Sequence, residues 1–256
     1  MNLAILVLAA GKGTRMESDL PKVLHILRGK SLLAHVLTAS QKLNPNRLIA
    51  VVGHKSELVE SEISPEFPNV EFVLQSETKG TGHAVMQAQG ALQNFEGDII
   101  VTCGDAPLLT SETLFDLVEK RRHNGAAASM LVGRLDNPAS YGRVVMEQGG
   151  TVHEIIEAKD ADAETLALQT VNAGTYCFDS HFLWNHLDKI GNSNKSGEYY
   201  LTDVIGLLTK NEEKVVAILI EEREMTGINT KAELALLERQ LQDEELLEGQ
   251  SEAQPS

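Results

Sequence analysis

The amino-acid sequence predicts an α/β fold with a mostly parallel central sheet, helices on both faces of that sheet and a smaller mixed-sheet part. Two observations support this prediction. Over the first half of the 256 residues, short and nearly continuous apolar runs alternate with amphipathic stretches, a pattern typical of parallel strands that are buried on both faces. In the second half, strand-like segments follow one another closely between turns, which favours added mixed-sheet elements beside a cleft.

The apolar periodicity gives the bounds of the predicted elements. In the first half, the predicted strands are Ala4–Leu8, Leu48–Val52, Val70–Leu74 and Ile99–Cys103. The predicted helices there are Leu32–Leu43, Ser56–Ile63, Gly82–Leu92 and Ser111–His123. The second half is predicted to add strands Gly142–Met146, Val152–Glu157 and Val171–Phe178, a helix over Tyr200–Thr209 and a strand over Val215–Ile220. In open sheets of this kind, ligands bind beyond the carboxyl ends of the strands, so the loops at 9–22, 75–82 and 104–108 are the first candidates for a site.

A last helix is predicted to begin at a capping box, Thr230-x-x-Glu233. Its apolar residues are Leu234, Leu237, Leu241 and Leu246. We expect them to pack on the core of the chain, although a helix-mediated contact with another chain is an alternative. The sequence then becomes acidic and of low complexity, which predicts a disordered tail over residues 249–256.

Charge and cysteine content exclude several classes of protein. The formal net charge of −15 disfavours binding to nucleic acid or to anionic membranes. The first 30 residues are different, with five basic side chains against two acidic ones, as selective binding of a small polyanion requires. The two cysteines lack a CxxC spacing, which argues against a zinc or redox site. The apolar N-terminal run lacks a preceding basic residue and leads into a Gly-rich turn, so we interpret it as a buried strand and expect a cytoplasmic protein.

The strongest local signal is the run LAAGKGTRM at residues 8–16, followed by Pro21 and Lys22. Gly11 and Gly13 allow backbone amides to approach phosphate oxygens closely. Arg15 and Lys22 add two cations where a triphosphate would lie. The run matches neither GxxxxGK[ST] nor GxGxxG. We therefore favour a distinct phosphate-binding loop over the alternative, a βα turn with surface lysines.

Two further segments follow predicted strands. Asp105 comes directly after the strand that ends at Cys103, where a carboxylate can hold Mg²⁺ against substrate phosphates; the alternative is an ordinary turn aspartate. Gln75 and the segment 80–83 follow the strand that ends at Leu74. Because a glutamine amide offers both a donor and an acceptor, this loop is suited to a pyrimidine edge. We expect His83 to be structural rather than a catalytic base.

The remaining candidates each have a plain structural alternative. Gly142 can serve a turn, Glu157 and Lys159 can form a solvated pair, and Asn229 can simply precede a helix cap. Asn172, in the segment Asn172-x-Gly174, can likewise have a purely structural role. The residues by themselves therefore indicate a Mg²⁺-dependent, nucleotide-binding enzyme and nothing finer.

Taken together in order, the motifs resemble the nucleotide-sugar pyrophosphorylases. The closest resemblance is to the N-terminal, uridylyltransferase half of the bifunctional N-acetylglucosamine-1-phosphate uridylyltransferase and glucosamine-1-phosphate acetyltransferase. It continues to about residue 230. The matching segments are LAAGKGTRM with LPKVLH and GK (8–30), GTGHA (80–84), GDAPLL (104–109), YGRVV (141–145), IIEAKDA (155–161), VNAGTY (171–176), GEYYLTD (197–203) and GIN (227–229).

The resemblance implies a Rossmann-like nucleotide-sugar transferase fold and an enzyme of the UDP-N-acetylglucosamine diphosphorylase type. Such an enzyme transfers UMP from UTP to N-acetyl-α-D-glucosamine 1-phosphate with Mg²⁺ and releases pyrophosphate, for peptidoglycan and lipopolysaccharide precursors. It also implies a nucleotidyltransferase domain over residues 1–228. Its nucleotide-binding part would cover about 1–110 and its sugar-binding part about 111–228, followed by a linker helix over 229–248.

The resemblance also implies a role for each matching residue. The nucleotide would contact Leu8, Ala9, Ala10, Gly11, Gly13, Lys22, Gln75, Gly80 and Thr81. The sugar would contact Gly142, Glu157 and Asn172. Asp105 and Asn229 would coordinate Mg²⁺, while Arg15 and Lys22 would neutralise charge on the phosphates during catalysis.

One departure from the family and two alternatives remain. No hexapeptide β-helix repeat follows residue 230, so acetyltransferase activity is not expected and the oligomeric state stays open. A sibling enzyme would use glucosamine- or glucose-1-phosphate, or another nucleotide. A noncatalytic, pyrophosphorylase-like regulatory module is the alternative from a different class, and it is disfavoured because the predicted cation and metal residues are all present.

Overall fold

The computed structural model describes residues 2–252, with side chains described up to residue 245. Within that range the strands are β1 (Leu3–Ala9), β2 (Ile26–Leu27), β3 (Lys30–Ser31), β4 (Arg47–Val52), β5 (Glu71–Leu74), β6 (Asp98–Cys103), β7 (Ala128–Arg134), β8 (Arg143–Met146), β9 (Val152–Ile156), β10 (Thr170–Asp179) and β11 (Val215–Leu219). The helices are α1 (Leu32–Gln41), α2 (Ser56–Ile63), α3 (Thr81–Ala88), α4 (Ser111–His123), α5 (Ala163–Leu166), α6 (Ser180–Leu187), α7 (Thr202–Lys210), α8 (Glu222–Met225) and α9 (Lys231–Glu252). Single 3-10 turns lie at Thr14–Met16, Lys22–Leu24 and Gly90–Leu92.

One mixed sheet runs through the molecule in the order β11-β7-β10-β6-β1-β4-β5. Strand β1 pairs in parallel with β4 and β6, β4 pairs in parallel with β5, and β11 pairs in parallel with β7. Strand β10 is antiparallel to both of its neighbours and also pairs with β8, which pairs with β9. The predicted fold class is confirmed, and strands from both halves of the chain share this sheet.

Both faces of the sheet are buried. Leu3, Ile5 and Val7 of β1 belong to a core cluster on one face, with residues of α1 and α4, whereas Ala4 and Leu6 belong to a cluster on the other face, with residues of α3, α6 and α7. Because successive side chains of a strand point to opposite faces, a strand that is covered on both sides must be apolar throughout. This explains the uninterrupted apolar run at the start of the sequence.

Six elements were not predicted: the short β2, β3, α5 and α8, and the longer β7 and α6. Two helices were predicted too long, since the helix predicted over Leu32–Leu43 ends at Gln41. Strand β7 lies inside the sheet, between β11 and β10. Its sequence is a continuous apolar run, and such a run has no periodicity that distinguishes a buried strand from a buried helix. Helix α6 has eight residues and begins where the Asp179 side chain accepts a hydrogen bond from the backbone N–H of His181. The helix predicted to end at Leu92 ends at Ala88, and its last turn is a separate 3-10 turn.

Helix α9 begins at the predicted capping box and packs on the core of its own chain. A Glu233 carboxylate oxygen accepts a hydrogen bond from the backbone N–H of Thr230 at 3.0 Å, and the Thr230 hydroxyl accepts from the backbone N–H of Glu233 at 3.1 Å. Leu237 is buried against Leu27 and Ile228, with further contacts from the other predicted apolar positions Leu234 and Leu241. Helix α9 continues to Glu252, so residues 249–252 are helical and differ from the prediction of a disordered tail. The side chain of Leu246 and residues 253–256 lie outside the described residues. In the described part of the chain, none of the helices combines the length and apolarity that crossing a membrane requires.

Candidate active site

The carboxyl ends of four parallel strands bring the predicted loops together. The register pairs Leu8 with Cys103 between β1 and β6, and Val52 with Leu74 between β4 and β5. The loop after β1, the residue Gln75 after β5 and the Gly104-Asp105 turn after β6 therefore leave the sheet at one edge. This is the edge where ligands bind in open α/β sheets.

Four charged or polar side chains converge at this edge. The Lys22 ammonium forms an ion pair with the Asp105 carboxylate and lies 3.1 Å from Oδ1 of Asn229. The Arg15 guanidinium donates a hydrogen bond to the same Oδ1 at 2.9 Å. The Lys22 and Asp105 side chains are only 14% and 19% exposed. The structure thus brings together the four residues predicted for catalysis and metal binding, although more than 200 positions of sequence separate the first from the last.

Backbone contacts hold this centre in place. Gly13 has φ +59°, and a Cβ added there would lie 2.5 Å from Cβ of Lys22, so the chain packs against the lysine with no room for a side chain. The backbone N–H of Ile228 donates to the carbonyl oxygen of Asp105 at 2.9 Å, which places Asn229 beside the carboxylate. The capping residue Glu233 also accepts from the backbone N–H of Asn229 at 2.6 Å, so the start of α9 fixes this asparagine.

Asp105 and Asn229 offer the oxygens that a hard divalent cation would need. Both oxygens contact one cation, the Lys22 ammonium, so they converge on a single position. Mg²⁺ is commonly held by one or two protein oxygens together with substrate phosphates and waters. Among the described residues, no group of three or more His, Cys, Asp or Glu side chains is arranged to hold a metal alone. The donor set therefore fits a metal that arrives with phosphate oxygens.

A first cleft of about 260 Å³ opens beside this centre. Its lining includes eight of the nine predicted nucleotide-binding residues: Leu8, Ala9, Ala10, Gly11, Lys22, Gln75, Gly80 and Thr81. The ninth, Gly13, instead lies behind Lys22. Thr78, Cys103 and Asp105 are also part of the wall.

Gln75 is the buried polar residue of this first cleft. Its amide Nε2 donates to the carbonyl oxygen of Gly80 at 3.2 Å and lies 3.0 Å from Nδ1 of His83. Gly80 has φ +104°, and a Cβ there would lie 2.5 Å from the carbonyl oxygen of Tyr199; only glycine suits this position. The Thr81 hydroxyl accepts from the backbone N–H of Leu201 at 3.1 Å, so this side chain ties the cleft to the segment before α7.

A second cleft of about 700 Å³ adjoins the first, and Cys103 and Asp105 line both. Its wall contains all three predicted sugar-binding residues, Gly142, Glu157 and Asn172. Further lining residues are Asn137, Ser140, Tyr141, Glu222, Leu135, Ala173 and Met225. Polar groups and a small apolar patch therefore face the same space.

The polar groups of the second cleft are partly committed to the protein. Burial raises the pKa of Glu157, opposed by a hydrogen bond from the Thr202 hydroxyl at 3.1 Å. Oδ1 of Asn172 accepts from the backbone N–H of Gly174 at 3.0 Å, and its Nδ2 donates to the Tyr176 hydroxyl at 2.6 Å. One N–H of Asn172 and one carboxylate oxygen of Glu157 remain for a ligand. Where the clefts meet, burial raises the pKa of the Cys103 thiol to about 12, so this cysteine is not a nucleophile at neutral pH.

Sequence reasoning missed the contribution of the segment around Tyr199. Glu198 lines the first cleft. The backbone N–H of Gly82 donates to the carbonyl oxygen of Tyr199 at 2.9 Å, and that of Tyr199 donates to the carbonyl oxygen of Lys79 at 2.8 Å. The motif GEYYLTD (197–203) was recognised in the sequence, but none of its residues was predicted to lie at the site. A contact over more than 100 residues leaves no local pattern to find.

Comparison with known proteins places the chain in a family. The family model described as nucleotidyl transferase matches residues 4–248, and the chain belongs to this family. It is 43% identical, over 99% of its length, to the bifunctional protein GlmU of Streptococcus gordonii (strain Challis), of which it covers 56%. It is 45% identical, over 93% of its length, to the bifunctional protein GlmU of Bacillus thuringiensis (strain Al Hakam), of which it covers 51%. The chain thus spans about half the length of these relatives.

Solved structures agree on the fold. A UDP-glucose pyrophosphorylase complexed with UDP-glucose superposes with a TM-score of 0.78 at 15% identity, over 95% of this chain and 100% of that one. An inositol-1-phosphate CTP transferase from T. maritima superposes with a TM-score of 0.72 at 16% identity, over 91% of each chain. At these identities the likeness concerns the fold. Family membership and fold together identify the chain as a nucleotidyltransferase.

Proposed function

We propose that this chain transfers UMP from UTP to N-acetyl-α-D-glucosamine 1-phosphate, giving UDP-N-acetylglucosamine and pyrophosphate. One observation carries the proposal: Arg15, Lys22, Asp105 and Asn229 converge where two clefts meet, and Asp105 lines both. A nucleotide in the first cleft and a sugar phosphate in the second would meet at this cationic centre. The 43% identity to a bifunctional GlmU over nearly the whole chain supports the choice of substrates.

Gln75 supports uracil as the base. Both hydrogens of its amide nitrogen point at protein acceptors, the carbonyl oxygen of Gly80 and Nδ1 of His83. Its Oε1 is therefore left as an acceptor on the cleft side. Uracil carries a donor at N3, whereas cytosine carries an acceptor there, so the buried amide favours uracil.

The second cleft supports an N-acetylhexosamine. Glu157 and Asn172 each keep one hydrogen-bonding group for a sugar hydroxyl or amide. Leu135, Ala173 and Met225 form an apolar patch of the same wall, against which an acetyl methyl group can pack. Glucose 1-phosphate would leave that patch uncovered.

The reaction needs position and charge rather than a general base. An anionic phosphate oxygen of the sugar phosphate attacks the α-phosphorus of UTP in line. The new P–O bond forms as the bond from the α-phosphorus to the bridging oxygen breaks, and pyrophosphate leaves with the electron pair. Arg15 and Lys22 would neutralise charge on the α-phosphate and the leaving group. Mg²⁺, held by Asp105 and Asn229, would supply further positive charge on the phosphate oxygens.

The test is pyrophosphate release with Mg²⁺ from UTP, CTP, GTP and dTTP, each paired with N-acetylglucosamine-, glucosamine- and glucose-1-phosphate. We expect release with UTP and N-acetylglucosamine 1-phosphate well above every other pair. A preference for another sugar phosphate would retain the reaction class and refute the proposed substrate. Folded protein that binds UTP and releases no pyrophosphate from any pair would refute the enzyme proposal in favour of a regulatory module.

A further inference from the structure

His83 lies behind the base-binding side of the first cleft rather than in it. It is the third residue of α3, and its Nδ1 is 3.0 Å from Nε2 of Gln75. The side chain of Gln75 is 3% exposed and lines the cleft. Within the described residues, Oε1 of Gln75 has no hydrogen-bond partner. The imidazole therefore contacts the end of the amide that faces away from a ligand.

The imidazole touches a second amide, and the two contacts conflict. Nε2 of Gln87 lies 3.3 Å from the other ring nitrogen of His83 and 3.2 Å from the carbonyl oxygen of His83. A neutral imidazole has one acceptor nitrogen and one N–H, so only one of the two amides can donate to the ring. The assignment of amide O and N atoms follows from the hydrogen-bond network, and here the network decides in favour of Gln75.

Burial decides between the two amides. If Gln75 turned its amide over, Oε1 would face the carbonyl oxygen of Gly80, and a buried acceptor pair would be left without a donor. Gln87 is only partly buried on a helix surface, so its amide can turn and accept from the ring N–H, or face solvent. The arrangement with lower free energy has Nδ1 of His83 as the acceptor for Gln75 and the proton on Nε2.

We infer that His83 is a specificity-determining positioning residue: it holds the Gln75 amide with Oε1 toward the cleft, and so selects a base with a donor at N3, such as uracil, over cytosine. The inference rests on the proposed UTP-dependent function. Without the ring acceptor, only the carbonyl oxygen of Gly80 would hold the amide. The amide could then present Nε2 to a cytosine N3 more readily.

The test is the ratio of kcat/KM for UTP to kcat/KM for CTP, measured with the same sugar phosphate in the full chain. His83→Ala removes the acceptor. His83→Phe also removes it but keeps a ring beside Tyr199, 6.4 Å away between ring centroids, in case the alanine variant folds poorly. We expect both variants to lower the ratio by roughly tenfold or more, because a site that hydrogen-bonds one substrate group can strongly disfavour a substrate that lacks this group. A general loss of activity or stability would lower kcat/KM for UTP and kcat/KM for CTP by the same factor and would leave their ratio unchanged.

Gln87→Leu is the matched control. It removes the amide that competes for the ring and leaves Nδ1 of His83 to accept from Gln75, so the ratio should stay within about twofold of wild type or rise. If wild-type protein selects UTP and both His83 variants keep its ratio, the inference is refuted and the proposed function stands. If wild-type protein does not use UTP, the proposed function itself fails, an outcome visible before any variant is compared.

Discussion

Replacing Gly13 by alanine should separate the rate of the reaction from the stability of the fold. The residue lies at φ +59°, where an L-residue costs about 1 kcal/mol relative to glycine. Its added Cβ would lie 2.5 Å from Cβ and 3.3 Å from Cα of Lys22. The closer atom is at the rigid base of the side chain, so Lys22 must move by roughly 1 Å to reach an ordinary contact distance. A displacement of that size in a positioned group costs about 100-fold in rate.

Gly29→Ala is the control for backbone strain. This glycine has φ +81°, and nothing lies within 4 Å of an added Cβ. Both variants should lose about 1 kcal/mol from backbone strain, a fall of roughly 2–4 °C in melting temperature, and Gly13→Ala should lose more from its contact. Only Gly13→Ala should show the rate loss. Steady-state kinetics of pyrophosphate release and thermal denaturation measure the two effects. If kcat of Gly13→Ala stays within about threefold of that of Gly29→Ala, Lys22 does not depend on the geometry of this loop.

Three further predictions concern the proposed roles of the site residues. Asp105→Asn should lower activity most at limiting Mg²⁺, since a neutral amide oxygen binds the metal more weakly than a carboxylate; a wild-type rate in a Mg²⁺ titration would contradict the metal assignment. Arg15→Ala should reduce kcat by roughly 10²–10³-fold with little change in the sugar KM, and normal turnover with only a raised KM would contradict that role. Glu157→Gln should raise the sugar KM and also change the pH dependence of stability. Burial raises the pKa of Glu157 above its ordinary 4.5, so the wild-type fold should lose stability as pH rises from about 4.5 through the raised pKa. The melting temperature of the variant minus that of wild type should therefore increase as pH rises over that window. If this difference stays constant, the pKa of Glu157 is not raised in the folded protein.

The elements that the sequence predicted well are those with a strong local pattern. The predicted bounds of Ser56–Ile63 and Ser111–His123 match α2 and α4, since each has an amphipathic pattern between recognisable ends. Strands β1, β4 and β6 begin and end within one residue of their predicted bounds, because burial on both faces requires an unbroken apolar run. Strand β7 has such a run too, but its place in the sheet depends on pairing with β10 and β11, which no local pattern contains.

The candidate site shows the same division. The rule that ligands bind beyond the carboxyl ends of parallel strands was enough to place Asp105 near the loop of Lys22. Asn229 could be placed only through the resemblance, because the contact that brings it to the site is a hydrogen bond from Ile228 to the backbone of Asp105. The inferred role of His83 depends on its hydrogen-bond contact with Gln75 and on the burial of the Gln75 side chain. No recognisable spacing in the sequence predicts either feature.

The charge of the site follows from these backbone contacts rather than from the composition of the chain. In the proposed function, a protein with a net charge of −15 would bind two polyanions, which would require its cations to be held where the phosphates meet. Gly13 leaves space for the base of the Lys22 side chain, and the capping residue Glu233 of α9 holds Asn229, whose Oδ1 accepts a hydrogen bond from Arg15. Both the close approach at Gly13 and the capping contact to Asn229 involve backbone atoms, and these lie next to the charged side chains only in the folded chain. Substitutions at these structural positions should therefore affect turnover as strongly as substitutions of the charged residues themselves.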